Sequence, residues 1–360
     1  MNSALPLSVV VVVGDGTATL DRALSAILAS DMPRDDFELI VVDDVSGDES
    51  TSVAARYADA VMRLGGRQCG PAYARNRGAD LARGEVVAFV DSDTMVKPST
   101  LPGMLKMLGG CSDLDAIAAS RDDAPAARNF ASQYWNLLVH FGEHQCFLSE
   151  DSLPSGCVAI RRSVLFEVGM YDEWRFATAS LESVDLGKRI GEAGHGVLLS
   201  RDHLVSQLRR WSLLTVCAEV WKRSALLARS VGYQRARASV PAEVVLTLCR
   251  RAVPAFAFLC TILLCSAYFA GPGRAVTVPV ALAGLLVVNF PVYRFFLRTR
   301  GVLFAVAVAP IHALMQFIGA AALCVGRLMR DAVGDQVPDA ATQAYAEVGL
   351  ETWPPVRRAR

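Results

Sequence analysis

Three short runs of apolar, largely β-branched residues near the N-terminus constrain the fold of this 360-residue chain more than any other feature. Such runs, separated by helix-like segments, are typical of strands that are buried on both faces of a parallel sheet. The runs are Leu7–Val13, Phe37–Val42 and Glu85–Val90, and the helix-like segments are Thr19–Leu28, Thr51–Tyr57 and Pro71–Ala82. The alternation predicts an α/β domain with a mainly parallel, doubly wound sheet.

The C-terminal part carries three longer apolar stretches. They are Val253–Ala270, Ala275–Phe290 extending toward Phe296, and Val302–Val325. Each approaches the ~20 residues that cross a hydrocarbon core. Together with the 52% hydrophobic composition, they predict a multi-pass protein of the cell membrane whose partner is the lipid bilayer.

Arginines around these stretches predict the orientation. Arg250 and Arg251 precede the first stretch, Arg274 alone lies between the first and second, and Arg294, Arg298 and Arg300 lie between the second and third. Because cytoplasmic loops usually carry more Lys and Arg than external loops, this distribution predicts that the N-terminal domain lies in the cytoplasm. Three full crossings would leave the C-terminus outside, yet Arg327 and Arg330 directly follow the third stretch. The number of complete crossings therefore stays open.

These patterns divide the chain into four predicted segments. They are an α/β domain over residues 1–211, an amphipathic segment over 212–248, about three transmembrane helices over 249–328, and a loosely ordered tail over 329–360. The amphipathic segment includes Leu213–Val231, where Trp221 lies among basic residues. Such a helix is typical of a membrane interface, and the alternative is an ordinary surface helix of the α/β domain.

Composition excludes several other classes. Lys and Arg together number 36, as do Asp and Glu, so net charge gives no reason to expect a nucleic-acid partner. The nine cysteines form no CxxC pair and include two within an apolar run, which argues against a disulfide framework and fits reduced thiols. Met1 to Val13 lacks a basic region and a cleavage site, so no signal peptide is expected.

Carboxylates follow two of the predicted strands. Asp43 and Asp44 end one strand, and Asp91 and Asp93 follow another. Ligands of open α/β sheets bind beyond the carboxyl ends of strands, where two carboxylates at i and i+2 can hold one divalent cation beside a diphosphate. The alternative for Asp43 and Asp44 is a turn in which an Asp caps the next helix.

Five ordered segments resemble the family-2 glycosyltransferases of the GT-A fold. They are VVDDVSGD (41–48), GPAYARNRGADLARGEVVAFVDSD (70–93), SGCVAIRRSVLFEVGMYDE (155–173), ESVDLGKRI (182–190) and QLRRW (207–211). The resemblance implies an inverting transferase that uses a nucleotide-diphosphate sugar, and it covers about residues 7–211.

The resemblance also implies roles for individual residues. On the donor side, Asp44 contacts the base, Arg75 lies near the nucleotide, and Asp15 lies in the turn after the first strand. Asp91 and Asp93 form a DxD motif for Mn²⁺ or Mg²⁺, with Asp93 the more direct ligand. Gln207, Arg210 and Trp211 fit a QxxRW motif that contacts the diphosphate and the acceptor.

The chain departs from the family pattern at three places. The turn after the first strand, Val12 to Gly16, lacks the aromatic residue that stacks on the base. Gln207 occupies a position at which many relatives carry a metal-binding histidine, and His203 is a nearby substitute. The usual general base is replaced by Ser183, whose hydroxyl cannot take up a proton at neutral pH.

The loss of the base bears on the acceptor. A hydroxyl acceptor must lose a proton, whereas a phosphate, whose second pKa is about 6, is already ionised at neutral pH. The sequence therefore favours a membrane lipid or a polyprenyl-phosphate-type acceptor, as in cell-envelope synthesis. Two alternatives stay open: a hydroxyl acceptor with Glu182 or Asp185 as base, and an inactive nucleotide-binding membrane scaffold.

Overall fold

The computed structural model describes residues 5–14, 16–66, 68–145, 153, 156–173, 182–235, 284 and 286–333. These residues fall into two compact units. One lies within residues 1–128 and 148–210, and the other within 129–147 and 211–335. The first unit contains the sheet, and the described residues of the second form helices. The predicted segment boundaries, including the one at residue 211, stay predictions.

Within the described residues, the sheet of the first unit has eight strands. They are β1 Leu7–Val13, β2 Phe37–Asp43, β3 Ala60–Arg63, β4 Val86–Asp91, β5 Thr94–Val96, β6 Ala116–Arg121, β7 Cys157–Arg161 and β8 Val197–Gln207. Their order is β3-β2-β1-β4-β7-β6-β8-β5. The three predicted strands are thus confirmed as β1, β2 and β4, with ends that agree within one residue.

The sheet is mixed. Four pairings are parallel and three, all involving β5 or β7, are antiparallel. The predicted α/β class is confirmed. The parallel order holds for β1 to β4, the part in which helices separate the strands.

Helices of the first unit cover the sheet. They are α1 Thr17–Leu28, α2 Ser50–Ala54, α3 Pro71–Leu81, α4 Thr100–Gly110, α6 Arg162–Glu167 and α7 Glu182–Glu192. The core lies between the sheet and α1 and α4, where Leu20, Leu24, Met104 and Leu108 are fully buried. On α3, a Cβ at Gly78 would lie 2.3 Å from Val10 Cγ1. Only glycine therefore lets this helix approach β1 so closely.

The second unit contains α5 Phe130–Gln145, α8 Leu213–Arg235, α9 Phe290–Arg300 and α10 Val302–Val333. Its apolar core includes Trp135, Val220, Phe296 and Met315. Buried hydrogen bonds cross this core. Tyr134 Oη lies 3.0 Å from His312 Nδ1, and the side-chain amides of Asn289 and Gln316 pair reciprocally at 3.1 and 2.7 Å.

The predicted membrane segments are described only in part. The stretch Val253–Ala270 and most of Ala275–Phe290 lie outside the described residues, as does the tail from residue 334. A turn at Asn289 separates the second stretch from α9, so Arg294, Arg298 and Arg300 lie on a helix of their own. Among the described residues, one helix, over Val302–Met329, is long and apolar enough to cross a membrane.

Candidate active site

The carboxyl ends of β1, β2 and β4 bring the predicted acidic residues together. In the strand register, Val13 of β1 lies opposite Asp43, and Val12 lies opposite Asp91. The two acidic strand ends therefore flank the end of β1, as expected for adjacent parallel strands.

Asp43 and Asp44 have different partners. Asp43 is fully buried and accepts hydrogen bonds from the Ser46 N–H at 2.7 Å and from the Thr51 hydroxyl at the start of α2. These contacts fix the turn after β2, but they do not cap the next helix, because α2 follows Glu49 and has no side-chain cap hydrogen bond. Val45, two residues further on, has a φ of 57°, which strains a β-branched residue and marks a tightly determined turn.

Asp44 fixes the loop before α3. Its Oδ1 accepts the Cys69 N–H at 2.8 Å, and its Oδ2 accepts the Gly70 N–H at 2.9 Å. Burial raises the pKa of this carboxyl, and the two backbone hydrogen bonds oppose that rise. Each carboxylate oxygen can accept a further hydrogen bond, so the assignment of Asp44 to the base of a nucleotide stays a prediction.

The DxD segment is held by the end of β8. The Asp93 carbonyl accepts hydrogen bonds from the Leu208 N–H at 2.8 Å and from Gln207 Nε2 at 3.2 Å. Burial and the neighbouring Asp91 raise the pKa of Asp93, while Arg121, Gln207 and Arg209 lower it. Two carboxylates that repel each other in a partly dry site are stabilised by a bound cation.

Arg75 connects the DxD segment to α7. Its guanidinium donates to Asp91 Oδ1 at 2.8 Å and to Glu182 Oε1 at 2.9 Å, and it lies 5.3 Å from the centre of the Tyr171 ring. Burial disfavours the charged guanidinium, but Asp91 and the other nearby groups outweigh it and raise the pKa of Arg75. Arg75 thus stays charged and fixes both carboxylates.

Ser183 is buried on the same helix as Glu182. Its side chain is hydrogen-bonded to the hydroxyl of Tyr171, and burial raises the pKa of Tyr171 to about 12. Neither hydroxyl can therefore act as a general base near neutral pH. Asn76 anchors this tyrosine, because its side chain bonds both the N–H and the carbonyl of Tyr171.

Asp185 supports the turn that precedes Tyr171. Its Oδ2 lies 2.8 Å from Arg189 Nε, and Arg189 donates to the carbonyls of Val168 at 2.7 Å and Met170 at 2.6 Å. Met170 has a φ of 57°, so this turn is itself strained. The ion pair gives Asp185 a structural role beside any catalytic one.

The QxxRW residues are distributed between the two units. Gln207 is buried at the DxD segment, and Arg210 is exposed. Trp211 belongs to the helical unit. There the backbone N–H of Trp211 donates to Ser132 Oγ at 2.8 Å, and its backbone carbonyl accepts a hydrogen bond from Asn129 Nδ2 at 2.6 Å. The ring centres of Trp211 and Trp135 are 5.8 Å apart.

One further predicted residue, His203, has partners of its own, and Asp15 lies outside the described residues. His203 Nδ1 bonds Ser200 Oγ at 2.7 Å, and its ring packs over Gly103 of α4. Within the described part of the chain, no group of three or more His, Cys, Asp or Glu side chains forms a metal-binding cluster.

Sequence reasoning missed three residues around the site. Tyr171 lies between Arg75 and Ser183, and Arg121 at the end of β6 acts electrostatically on Asp93. Asp48 accepts the N–H groups of Gly16 and Thr17 at 3.0 and 3.1 Å, and so holds the start of α1. Asp48 ends the Ser46-Gly47-Asp48 sequence shortly after Asp44, and this turn-like sequence could have indicated its role.

Comparisons with known proteins agree with this geometry. Residues 8–169 match the model of "Glycosyl transferase family 2". The putative glycosyltransferase EpsH of Bacillus subtilis is 37% identical over 22% of this chain and 24% of its own length. Poly(ribitol-phosphate) beta-N-acetylglucosaminyltransferase TarS of Staphylococcus aureus is 32% identical over 27% of this chain and 18% of its own. The matched segments thus span about a quarter or less of these relatives.

A solved structure extends the likeness of the fold. It is the mannosyltransferase PcManGT from Pyrobaculum calidifontis, with a TM-score of 0.56, 18% identity, and coverage of 89% of this chain and 86% of that one. The match over residues 8–169 and the arrangement of the strands, the DxD segment and α7 agree: the α/β domain of this chain is similar to glycosyltransferase family 2 and has the GT-A fold.

Proposed function

We propose that this chain transfers a sugar from a nucleotide-diphosphate sugar to a membrane lipid or lipid-phosphate acceptor, with inversion at the anomeric carbon and with a divalent cation. The observation that carries the proposal is the convergence of Asp93, Asp91 and Arg75 at the carboxyl end of the sheet. PcManGT was solved with GDP-mannose and Mn²⁺, which supports a nucleotide-sugar donor and Mn²⁺ or Mg²⁺ here.

Asp93 and Asp91 suit such a cation. Mg²⁺ in nucleotide enzymes usually takes one or two protein carboxylates and completes its shell with substrate phosphates and water. The donor set of this site matches that requirement, because no third acidic or imidazole ligand joins the pair among the described residues. When bound, the cation offsets the negative charge that develops on the leaving diphosphate.

The protein side chains position the reacting groups. Arg75 holds Asp91 by one of its guanidinium nitrogens, which leaves Asp93 as the more direct ligand. Gln207 fixes the backbone of Asp93. We assign Asp44 and Asp15 to the nucleotide side of the site, and Arg210 and Trp211 to the diphosphate and acceptor side.

The partners of the α7 carboxylates favour a phosphate acceptor. Glu182 is paired with Arg75 and Asp185 with Arg189. A guanidinium therefore already occupies one oxygen of each carboxylate and fixes the orientation of the side chain. A lipid phosphate needs no base, because it is already ionised at neutral pH.

One observation supports a second candidate, transfer to a hydroxyl of a polysaccharide or glycolipid. Glu182 and Asp91 bind the same guanidinium, so a carboxylate lies close to the DxD segment. Glu182 would then take the acceptor proton.

Membrane association accompanies either reaction. α10 is long and apolar enough to cross a bilayer, and two further apolar stretches precede it in the sequence. We therefore propose a cell-membrane protein whose catalytic domain lies in the cytoplasm. The full-length protein should stay with membranes after carbonate extraction, and its release into the supernatant would contradict this part of the proposal.

The test of the proposed reaction is a screen of nucleotide sugars by nucleotide release, with native membranes as acceptor source. One donor should be turned over in the presence of Mn²⁺ or Mg²⁺. Asp93→Asn should lose at least about 100-fold, the order of magnitude for one electrostatic group in an active site. Asp21→Asn, at an exposed carboxylate of α1, serves as control. Nucleotide binding without release from any donor would favour the inactive scaffold.

A further inference from the structure

Helix α10 presents a continuous apolar stripe to the outside of the helical unit. Leu303 is 89% exposed, and Val306, Leu314, Phe317 and Leu328 are also exposed. These residues recur at helical spacing, and the stripe from Leu303 to Leu328 extends over about 38 Å at 1.5 Å per residue.

The inward face of the same helix carries polar groups. His312 and Gln316 are buried, and they bond Tyr134 and Asn289 respectively. A helix packed in water normally places apolar side chains inward and polar ones outward. In α10 two polar side chains are buried beside apolar Val308 and Met315, while the exposed stripe is apolar, which fits a helix whose outer face meets lipid.

Helix α8 packs on the C-terminal half of α10 through small residues. A Cβ at Gly326 would lie 2.4 Å from the Ala225 carbonyl oxygen, and one at Gly319 would lie 3.4 Å from Ser224 Oγ and 3.6 Å from Val220 Cγ1. The middle of α10 is therefore level with residues 220–224 of α8.

That part of α8 is charged. Glu219 and Arg223 form an ion pair at 2.5 Å, and Lys222 is exposed. If α10 crossed the bilayer with its middle at the centre, these three charged residues would lie near the bilayer centre too. Charged side chains are strongly disfavoured there.

Helix α9 brings charge to the N-terminal half of α10. The ring of Phe296 on α9 packs on that of Phe304, with the ring centres 5.8 Å apart, and the side chain of Asn289 is hydrogen-bonded to that of Gln316. Arg294, Arg298 and Arg300 on α9 are exposed. Basic groups thus accompany α10 along both halves of its length.

The length of α10 exceeds the hydrocarbon core. Its 28-residue apolar segment would measure about 42 Å, against about 30 Å for the hydrocarbon core. A crossing would therefore tilt the helix or place its two ends in the headgroup regions.

We infer that α10 does not cross the membrane but lies in the plane of one leaflet, with its apolar stripe in the acyl region and the basic groups of α8 and α9 near anionic headgroups. The inference rests on the proposed membrane association and refines it. An exposed apolar stripe beside basic side chains is the pattern of an interfacial helix.

This arrangement accounts for the arginines that follow α10. Arg327 and Arg330 would lie on the cytoplasmic side together with Arg294, Arg298 and Arg300, as the positive-inside rule requires.

The test is the sidedness of the two ends of α10 in the full-length protein. Val302→Cys and Asp331→Cys place thiols at exposed positions at either end, and Asp35→Cys marks the catalytic domain at an exposed site. Each is treated with a membrane-impermeant maleimide in spheroplasts and in inside-out vesicles, and the labelling of the native cysteines is subtracted.

An in-plane helix predicts that all three thiols react from the same side, with labelling in inside-out vesicles at least about tenfold above that in spheroplasts. Reaction of Val302→Cys and Asp331→Cys from opposite sides would overturn the inference. Recovery of the protein in the soluble fraction would instead refute membrane association itself.

A depth measurement separates lipid from a protein partner. A fluorophore on Leu314→Cys, at the exposed stripe, is examined in anionic vesicles that contain brominated lipids. Bromine near the headgroup should quench at least about twofold more than bromine near the chain end. Stronger quenching from the chain end would indicate a crossing helix, and no quenching at all would mean that protein covers the stripe; either result contradicts the inference.

Discussion

Arg75→Met should destabilise the α/β domain strongly, because Arg75 is the cation between two acidic groups. The side chains of Arg75 and Glu182 are only 8% and 5% exposed, whereas that of Asp91 is 30% exposed. Removing one partner of a buried ion pair costs about 3–5 kcal/mol, since the other charge is left uncompensated. Methionine keeps much of the volume of the side chain, so the loss reports mainly on charge.

For a domain of this size, that loss corresponds to a fall of roughly 6–20 °C in the midpoint of thermal unfolding. The assay is thermal unfolding of the full-length protein in detergent at pH 7.5. Arg56→Met is the matched control. Arg56 and Asp21 form an ion pair at 2.9 Å with 61% and 44% exposed side chains, and such surface pairs contribute about 0–1 kcal/mol.

A second substitution separates charge from packing. In Arg75→Met/Glu182→Gln, the uncompensated carboxylate is also removed, so the double variant should recover part of the lost stability. Equal midpoints for Arg75→Met and Arg56→Met would refute the view that Arg75 neutralises the site. Loss of stability with no recovery in the double variant would attribute it to packing instead.

Three further substitutions test individual residues. Asp93→Asn should abolish cation-dependent transfer and, because burial raises the pKa of Asp93, should raise the unfolding midpoint of the metal-free protein at pH 7.5. The midpoint should rise because the folded state binds the Asp93 proton more tightly than the unfolded state. The free energy of unfolding therefore falls as the pH rises from the ordinary pKa of 3.8 through the raised pKa. An unchanged midpoint would refute a pKa raised by burial. Asp44→Ala should weaken nucleotide binding at least about tenfold in calorimetry, and an unchanged dissociation constant would exclude the base contact. Ser183→Asp should lower the initial rate on a phosphate acceptor by like-charge repulsion, whereas a rise of ~10²-fold would establish a hydroxyl acceptor that lacked its base.

Local patterns were sufficient for the first half of the sheet. The continuous apolar runs of β1, β2 and β4 and the Gly70–Pro71 start of α3 gave their boundaries within one or two residues, since each depends on neighbours in sequence. The antiparallel strand β7 was not predicted. Its apolar run is short enough to suit either direction of pairing.

The contacts that complete the site are long-range and could not be predicted. Arg75 meets Glu182 across 107 residues in the site, and in the helical unit Tyr134 meets His312 across 178 residues. The family resemblance placed Arg75, Asp91 and Glu182 in one site, but it did not predict that a single guanidinium joins the last two. It also did not predict that α5 packs with the C-terminal helices.

The most direct test of the central claim is the incorporation of labelled sugar from a nucleotide sugar into the lipid extract of native membranes. The full-length protein with Mn²⁺ or Mg²⁺ should place label in the organic phase and release one nucleotide for each sugar transferred, and chelation of the metal or Asp93→Asn should abolish both. Nucleotide binding without release, or release that leaves all label in water-soluble products, would contradict transfer to a membrane lipid.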